Sequence, residues 1–134
     1  MLTTAPPSSR RAFVALPVAW AVIVLVLTLT PADEMPKTPQ WKLLSFDTAA
    51  HAAVFLLLAV LACFSAGRQR RFAFLHANAF LLVLLGSVAF GALIEALQMT
   101  MHLGRHGEWS DLISDSLGAV MGLLGMASLR RWWQ

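Results

Sequence analysis

The chain has 134 residues, 58% of them hydrophobic and only 13% charged, where a soluble domain carries about 25% charged residues. With a positive mean hydropathy, that balance excludes a disordered chain, a coiled coil and an ordinary soluble fold, and the length points to one domain. The formal net charge is +3 and the pI about 10.0, but the basic residues gather at segment ends and not in a patch that would suit nucleic acid.

A helix crosses the hydrocarbon of a membrane with roughly 20 mostly apolar residues. Four segments meet that need, at about 12–29, 47–66, 73–97 and 111–129. They predict an all-α fold, an integral-membrane four-helix bundle. Its transmembrane domain spans 12–129, between cytoplasmic tails at 1–11 and 130–134. The first segment has a rival reading. Arg10 and Arg11 precede an apolar run ending in Thr30-Pro31-Ala32, which is the layout of a signal peptide. The run is longer than the usual apolar region of such a peptide, and Pro31 sits inside the candidate cleavage site. A retained membrane helix is therefore expected.

The connectors are 30–46, 67–72 and 98–110. Their charges give the orientation. Arg10, Arg11, Arg68, Arg70, Arg71, Arg130 and Arg131 fall on one side, and Lys37, Lys42 and Arg105 on the other. Basic residues mark the cytoplasmic side, so both termini are expected there. All seven acidic residues lie on or near the outer side. The basic pI then reflects an inner arginine fringe facing anionic lipid. Trp41 and Trp109 at the outer boundary, and Trp132 and Trp133 at the inner one, suit interfacial belts. Cys63 is the single cysteine and lies in an apolar run, so no intrachain disulfide is expected.

Ionisable residues inside a span cost a few kcal/mol and call for a reason. Asp47 and His51 share a face at the outer start of the second segment. Glu95, Gln98 and His102 share a face at the outer end of the third. Asp111 and Asp115 open the fourth, and Arg105 lies in the loop before it. Up-and-down topology alone brings these to one depth. Asp47 and Asp111 suit the positive end of a helix dipole. Glu95 does not, because it sits near a helix C-terminus within apolar sequence, so it needs a partner such as Arg105 or His51. As chemistry, Glu95 and His51 are candidate acid or base, with Asp47 orienting His51. A metal set could be drawn from His51, His102, Glu95 and Asp111, but no HExxH or Cys/His spacing supports it. No metal and no cofactor is therefore expected.

The fourth segment carries a second pattern. Asp111, Asp115, Gly118, Gly122 and Gly125 form one stripe, and Ser87, Gly91, Glu95, Gln98 and His102 form another on the third. Small residues at such spacing let helices approach closely in lipid. The simplest packing sets these two faces together, with Gly91, Gly118 and Gly122 at the contact.

These residues resemble the VanZ-like family of small membrane proteins, named after a teicoplanin-resistance protein. That family shows Asp-Lys-x-x-His-x-x-x-Tyr opening a helix. Asp47 and His51 match it, with Thr48 in place of Lys and Phe55 in place of Tyr. Glu95 and Gln98 match a following Glu-x-x-Gln. Arg105, with Asp111 six residues on, matches the next element. Asp111, Gly118 and Gly122 match Asp-x-x-x-Asn-x-x-Gly-x-x-x-Gly, with Asp115 replacing Asn. The resemblance covers most of the chain after about residue 40. It implies a multi-pass protein of the bacterial inner membrane linked to the cell envelope, and in the name-giving case to glycopeptide susceptibility. It supplies no agreed reaction.

Three function classes follow. The leading one is a binding module for an envelope lipid or a lipid-linked cell-wall precursor at the outer leaflet. The second is a membrane-embedded hydrolase or transferase of lipid-linked substrates. The third is a structural subunit of a homo- or hetero-oligomeric membrane complex, with the polar cluster as helix glue. Membrane lipids are the expected partners, and nucleic acid is not.

Overall fold

The computed structural model describes residues 12–34, 46–69, 71–102 and 108–133. Four long helices dominate: α1 (Ala12–Leu29), α2 (Phe46–Arg68), α4 (Ala79–Met101) and α5 (Trp109–Ser128). Two short ones, α3 (Ala73–Ala77) and α6 (Arg130–Trp133), and a single 3-10 turn (Ala32–Glu34) complete the helical structure. No strand occurs among the described residues. α2 and α4 are each long and apolar enough to cross a membrane, and α1 is a shorter apolar helix. In α5 the carboxylates Asp111 and Asp115 and four serines dilute the apolar content.

The third apolar segment is two helices and not one. Asn78 breaks it, with φ −110° and ψ 21°. Its side-chain amide donates to the Phe74 carbonyl at 2.9 Å, beside its own backbone N–H at 3.0 Å. Asparagine favours such local bonds over helix continuation. The short turn from α2 to α3 is closed by Gln69, whose amide donates to the Phe72 carbonyl and accepts from the Phe72 N–H. At its other end α4 runs four residues past the sequence expectation and stops at His102, which takes the left-handed conformation (φ 49°).

The helices alternate in direction. Phe13 stacks edge-on against Phe64, and the Trp20 indole N–H donates to the Val54 carbonyl at 3.0 Å, so α1 runs antiparallel to α2. Phe90 of α4 packs on Phe55, and Val83 lies with Ala59 and Cys63, which makes α4 antiparallel to α2 as well. The tightest pairing is α2 with α5, and these run parallel. A Cβ on Gly118 would overlap the Ala52 carbonyl oxygen and come within 2.8 Å of the Ala52 Cα and carbonyl carbon. One on Gly122 would lie 2.6 Å from the Leu56 oxygen. Gly118/Gly122 and Ala52/Leu56 are both four apart, so one helix face meets the other at backbone distance at two levels about one turn apart.

This seam corrects the expected packing. The glycines of α5 face α2, not α4, and a Cβ at Gly125 would meet nothing within 4 Å. A stripe of small residues permits close approach without choosing the neighbour. Gly91 of α4 does meet α5, but on Asp115 and Leu112. Two apolar clusters fill the interior. Ala59, Cys63, Val83, Ala119, Leu123 and Met126 join α2, α4 and α5, and Val24, Phe55, Leu58 and Ile94 join α1, α2 and α4. The outer faces are also apolar. Val18, Val22 and Val26 of α1, Leu81 and Leu85 of α4 and Leu117, Met121 and Leu124 of α5 are all exposed. An exterior of this kind is compatible with a membrane protein.

Candidate polar site at one end of the helices

His51, Glu95 and Asp115 come from three different helices and meet in the interior. His51 lies in the second turn of α2 and Asp115 in the second turn of α5, while Glu95 is six residues from the end of α4. At 1.5 Å per residue each is within about 10 Å of the same end of the molecule. The Gly118–Ala52 contact sets the register. With α2 and α5 parallel and locked there, His51, one residue before Ala52, faces Asp115, one turn before Gly118.

The His51 Nδ1 and an Asp115 oxygen are hydrogen-bonded at 2.8 Å. The other ring nitrogen, Nε2, lies 3.9 Å from an Asp111 oxygen. One donor atom each from His51, Glu95 and Asp115 lies within 4.8 Å of the other two. All three residues are buried, with 8%, 6% and 0% of their surface exposed. Asp115 fits because Gly91 leaves room: its second oxygen stands 3.0 Å from where a Cβ on Gly91 would be. Glycine at 91 is thus explained by the carboxylate that occupies the vacant Cβ space.

Charge balance makes the site unusual. Both Glu95 oxygens and the second Asp115 oxygen are buried without a hydrogen-bond partner among the described residues. The Glu108 backbone N–H, just before α5, acts favourably on the Glu95 carboxylate. Taking a carboxylate out of water costs several kcal/mol unless it is paired. A single imidazole can offset only one of the two buried carboxylates. The cluster is rich in acceptors and short of donors, so it suits a cation or a ligand carrying hydroxyl or ammonium groups.

Against the sequence reading, several roles move. Asp115 is an orienting carboxylate on His51; the side chain of Asp47, the residue expected in that role, lies outside the described residues. Arg105, expected beside Glu95, also lies outside them, as does Trp41. His51 contacts Asp115 and Asp111 directly, and Glu95 stands beside it with a ligand atom within 4.8 Å. Gln98 leaves the cluster. It is buried and donates to the Thr28 carbonyl of α1 at 2.9 Å. That carbonyl is among the last four of α1, which lack partners within their own helix, so Gln98 caps α1. His102 is exposed and stands apart from the buried trio. Trp20, whose indole N–H tethers α1 to α2, carried no signal in the sequence, because an indole within an apolar run reads as ordinary filling. Trp109 and Trp132 are strongly exposed at opposite ends of α5 and α6. The opposite end of the molecule is basic, with Arg68 stacked over Phe13 and Phe64 and Arg131 over Trp132.

The model of the VanZ/LLP1 family matches residues 7–130, nearly the whole chain. The chain belongs to the VanZ/LLP1 family. No curated protein and no solved structure matches it. For a VanZ/LLP1 chain, two of its departures from the family pattern now have a physical setting. Phe55, in place of Tyr, is fully buried and packs on Phe90, where a hydroxyl would need a partner of its own. Asp115, in place of Asn, accepts from the same His51 nitrogen that an asparagine oxygen would meet, and brings a second acceptor oxygen.

Proposed function

We propose that this VanZ/LLP1 chain is a multi-pass protein of the bacterial inner membrane, a four-helix bundle with both termini in the cytoplasm. Its polar end faces outward and binds the headgroup of an envelope lipid or lipid-linked cell-wall precursor. The observation that carries the reading is the set of three buried carboxylate oxygens that meet no hydrogen-bond partner among the described residues, held at one end of helices whose outer faces are apolar. Such oxygens are retained at a cost, and a headgroup offering hydroxyl or ammonium donors repays it. The link to glycopeptide susceptibility follows the same logic, because a protein that holds a cell-wall precursor alters what a glycopeptide meets.

The short His51–Asp115 contact favours a second reading, a membrane hydrolase or transferase. A carboxylate on Nδ1 fixes the imidazole tautomer and leaves Nε2 to move a proton. Here Nε2 faces Asp111, so in this reading substrate enters between the two. A structural subunit of a larger complex is the plainest alternative, with the cluster as helix glue.

The test is lipid retention. The purified chain in detergent is examined by native mass spectrometry for bound phospholipid or isoprenoid phosphate. We expect retained lipid, reduced at least tenfold in Glu95→Gln, which keeps shape but removes a charge. Turnover of the bound lipid, lost with His51→Ala, points to the enzyme reading. No retained lipid in the unmodified chain refutes the binding reading.

A further inference from the structure

We infer that His51, Glu95 and Asp115 form a binding site for one divalent transition-metal ion of the zinc class. The donor set is one imidazole and two carboxylates, converging from α2, α4 and α5 with donor atoms within 4.8 Å of one another. Both Glu95 oxygens and one Asp115 oxygen meet no hydrogen-bond partner among the described residues, and both residues are more than nine-tenths buried. Zinc takes histidine nitrogen at about 2.0–2.1 Å and carboxylate oxygen at about 2.0–2.2 Å. Ligands around a tetrahedral ion then stand roughly 3.4 Å apart. The His51–Asp115 edge, at 2.8 Å, opens slightly, and the Glu95 oxygens close in by a side-chain rotation.

Charge selects a dication. A neutral imidazole, two carboxylates and one divalent ion sum to zero, which is what a dry site requires. Magnesium is the poorer occupant, since it keeps several waters and prefers oxygen donors alone. Three protein ligands leave one position for an outside atom. Asp111 completes the arrangement. With the metal on Nδ1, the His51 Nε2–H points to the Asp111 carboxylate 3.9 Å away, the outer carboxylate that metal-bound histidines commonly engage.

The inference departs from the sequence expectation of no metal, because the three residues are scattered over 65 positions and show no ligand spacing. It also rests on this chain's own Asp115, where the family pattern has Asn. It rests on the lipid reading proposed above and changes one part of it: the ion, not a hydroxyl or ammonium donor, takes the carboxylate oxygens, and the headgroup meets the ion. An acidic pocket repels a lipid phosphate, and a dication with an open position converts it into a phosphate receptor.

The experiment uses the full chain purified in detergent, stripped with a chelator and repleted with zinc chloride alone. Bound zinc is counted by elemental mass spectrometry and affinity measured by calorimetry. We expect one zinc per chain, unaffected by a large excess of magnesium. Glu95→Gln and Asp115→Asn should each weaken binding at least tenfold, Asp111→Asn less, and His102→Ala not at all. Zinc should also raise the thermal midpoint of the unmodified chain and not that of Glu95→Gln, so a poorly folding His51→Ala does not decide the outcome. No stoichiometric zinc, or zinc binding unchanged in both Glu95→Gln and Asp115→Asn, overturns the site. Lipid retention is read on the same stripped and repleted samples. Zinc without lipid refutes the lipid reading and leaves the metal site standing; lipid without zinc does the reverse.

Discussion

Replacing Gly118 with alanine adds one methyl group where α2 and α5 approach closest. The new Cβ would overlap the Ala52 oxygen and lie 2.8 Å from two further backbone atoms of Ala52. Ordinary contact needs about 3.4–4 Å, so the helices must part locally by on the order of 1 Å. A gap of that size forfeits about a quarter to a half of the dispersion energy of the atoms along it. Overpacking of this kind costs about 1–3 kcal/mol. Alanine recovers up to about 1 kcal/mol through its better helix propensity. The net expectation is a loss of about 1–2 kcal/mol. Backbone, unlike a flexible side chain, cannot step aside, which makes the sign firm. Gly122→Ala should cost less, because its closest contact is the Leu56 oxygen at 2.6 Å and the next is at 3.3 Å. Gly125→Ala meets nothing within 4 Å and should be neutral or stabilising by up to about 1 kcal/mol. Thermal unfolding in detergent, followed by circular dichroism, orders the three variants. Gly118→Ala matching the unmodified chain while Gly125→Ala is destabilised would place the tight seam elsewhere and refute the packing argument.

His51→Ala strands a fully buried Asp115, which should cost about 3–5 kcal/mol, and Asp115→Ala should cost about 1–3 kcal/mol through the unsatisfied imidazole. The double variant should fall short of their sum by about 0.5–3 kcal/mol; strict additivity in the same melts argues that the two side chains do not interact. For the proposed topology, reporter fusions following residue 134 should be active only in the cytoplasm and fusions within 36–40 only outside it; a periplasmically active fusion at the C-terminus reverses the orientation.

The sequence by itself determined the apolar segments, the helix faces and the depth of the polar residues. Each follows from short-range rules: 1.5 Å of rise per residue fixes depth, and the 3.6-residue period fixes which side chains share a face. Glu95 stood out because an anion near a helix C-terminus within apolar sequence has no local reason to be there. The period gives a face its direction around its own axis, but it does not say which helix lies opposite. The glycines of α5 could serve α2 or α4 equally well on spacing alone, and only the fold turned Gly118 and Gly122 onto Ala52 and Leu56. That choice carried the rest. It brought Asp115 to His51, and Gln98 turned to the end of α1 instead of joining the cluster. The family resemblance was legible for the same reason the depth was, since both rest on which residues occur and at what spacing. A site built from three helices is a matter of lateral neighbours, and those are decided by side-chain volumes meeting across the interior, which no single segment records.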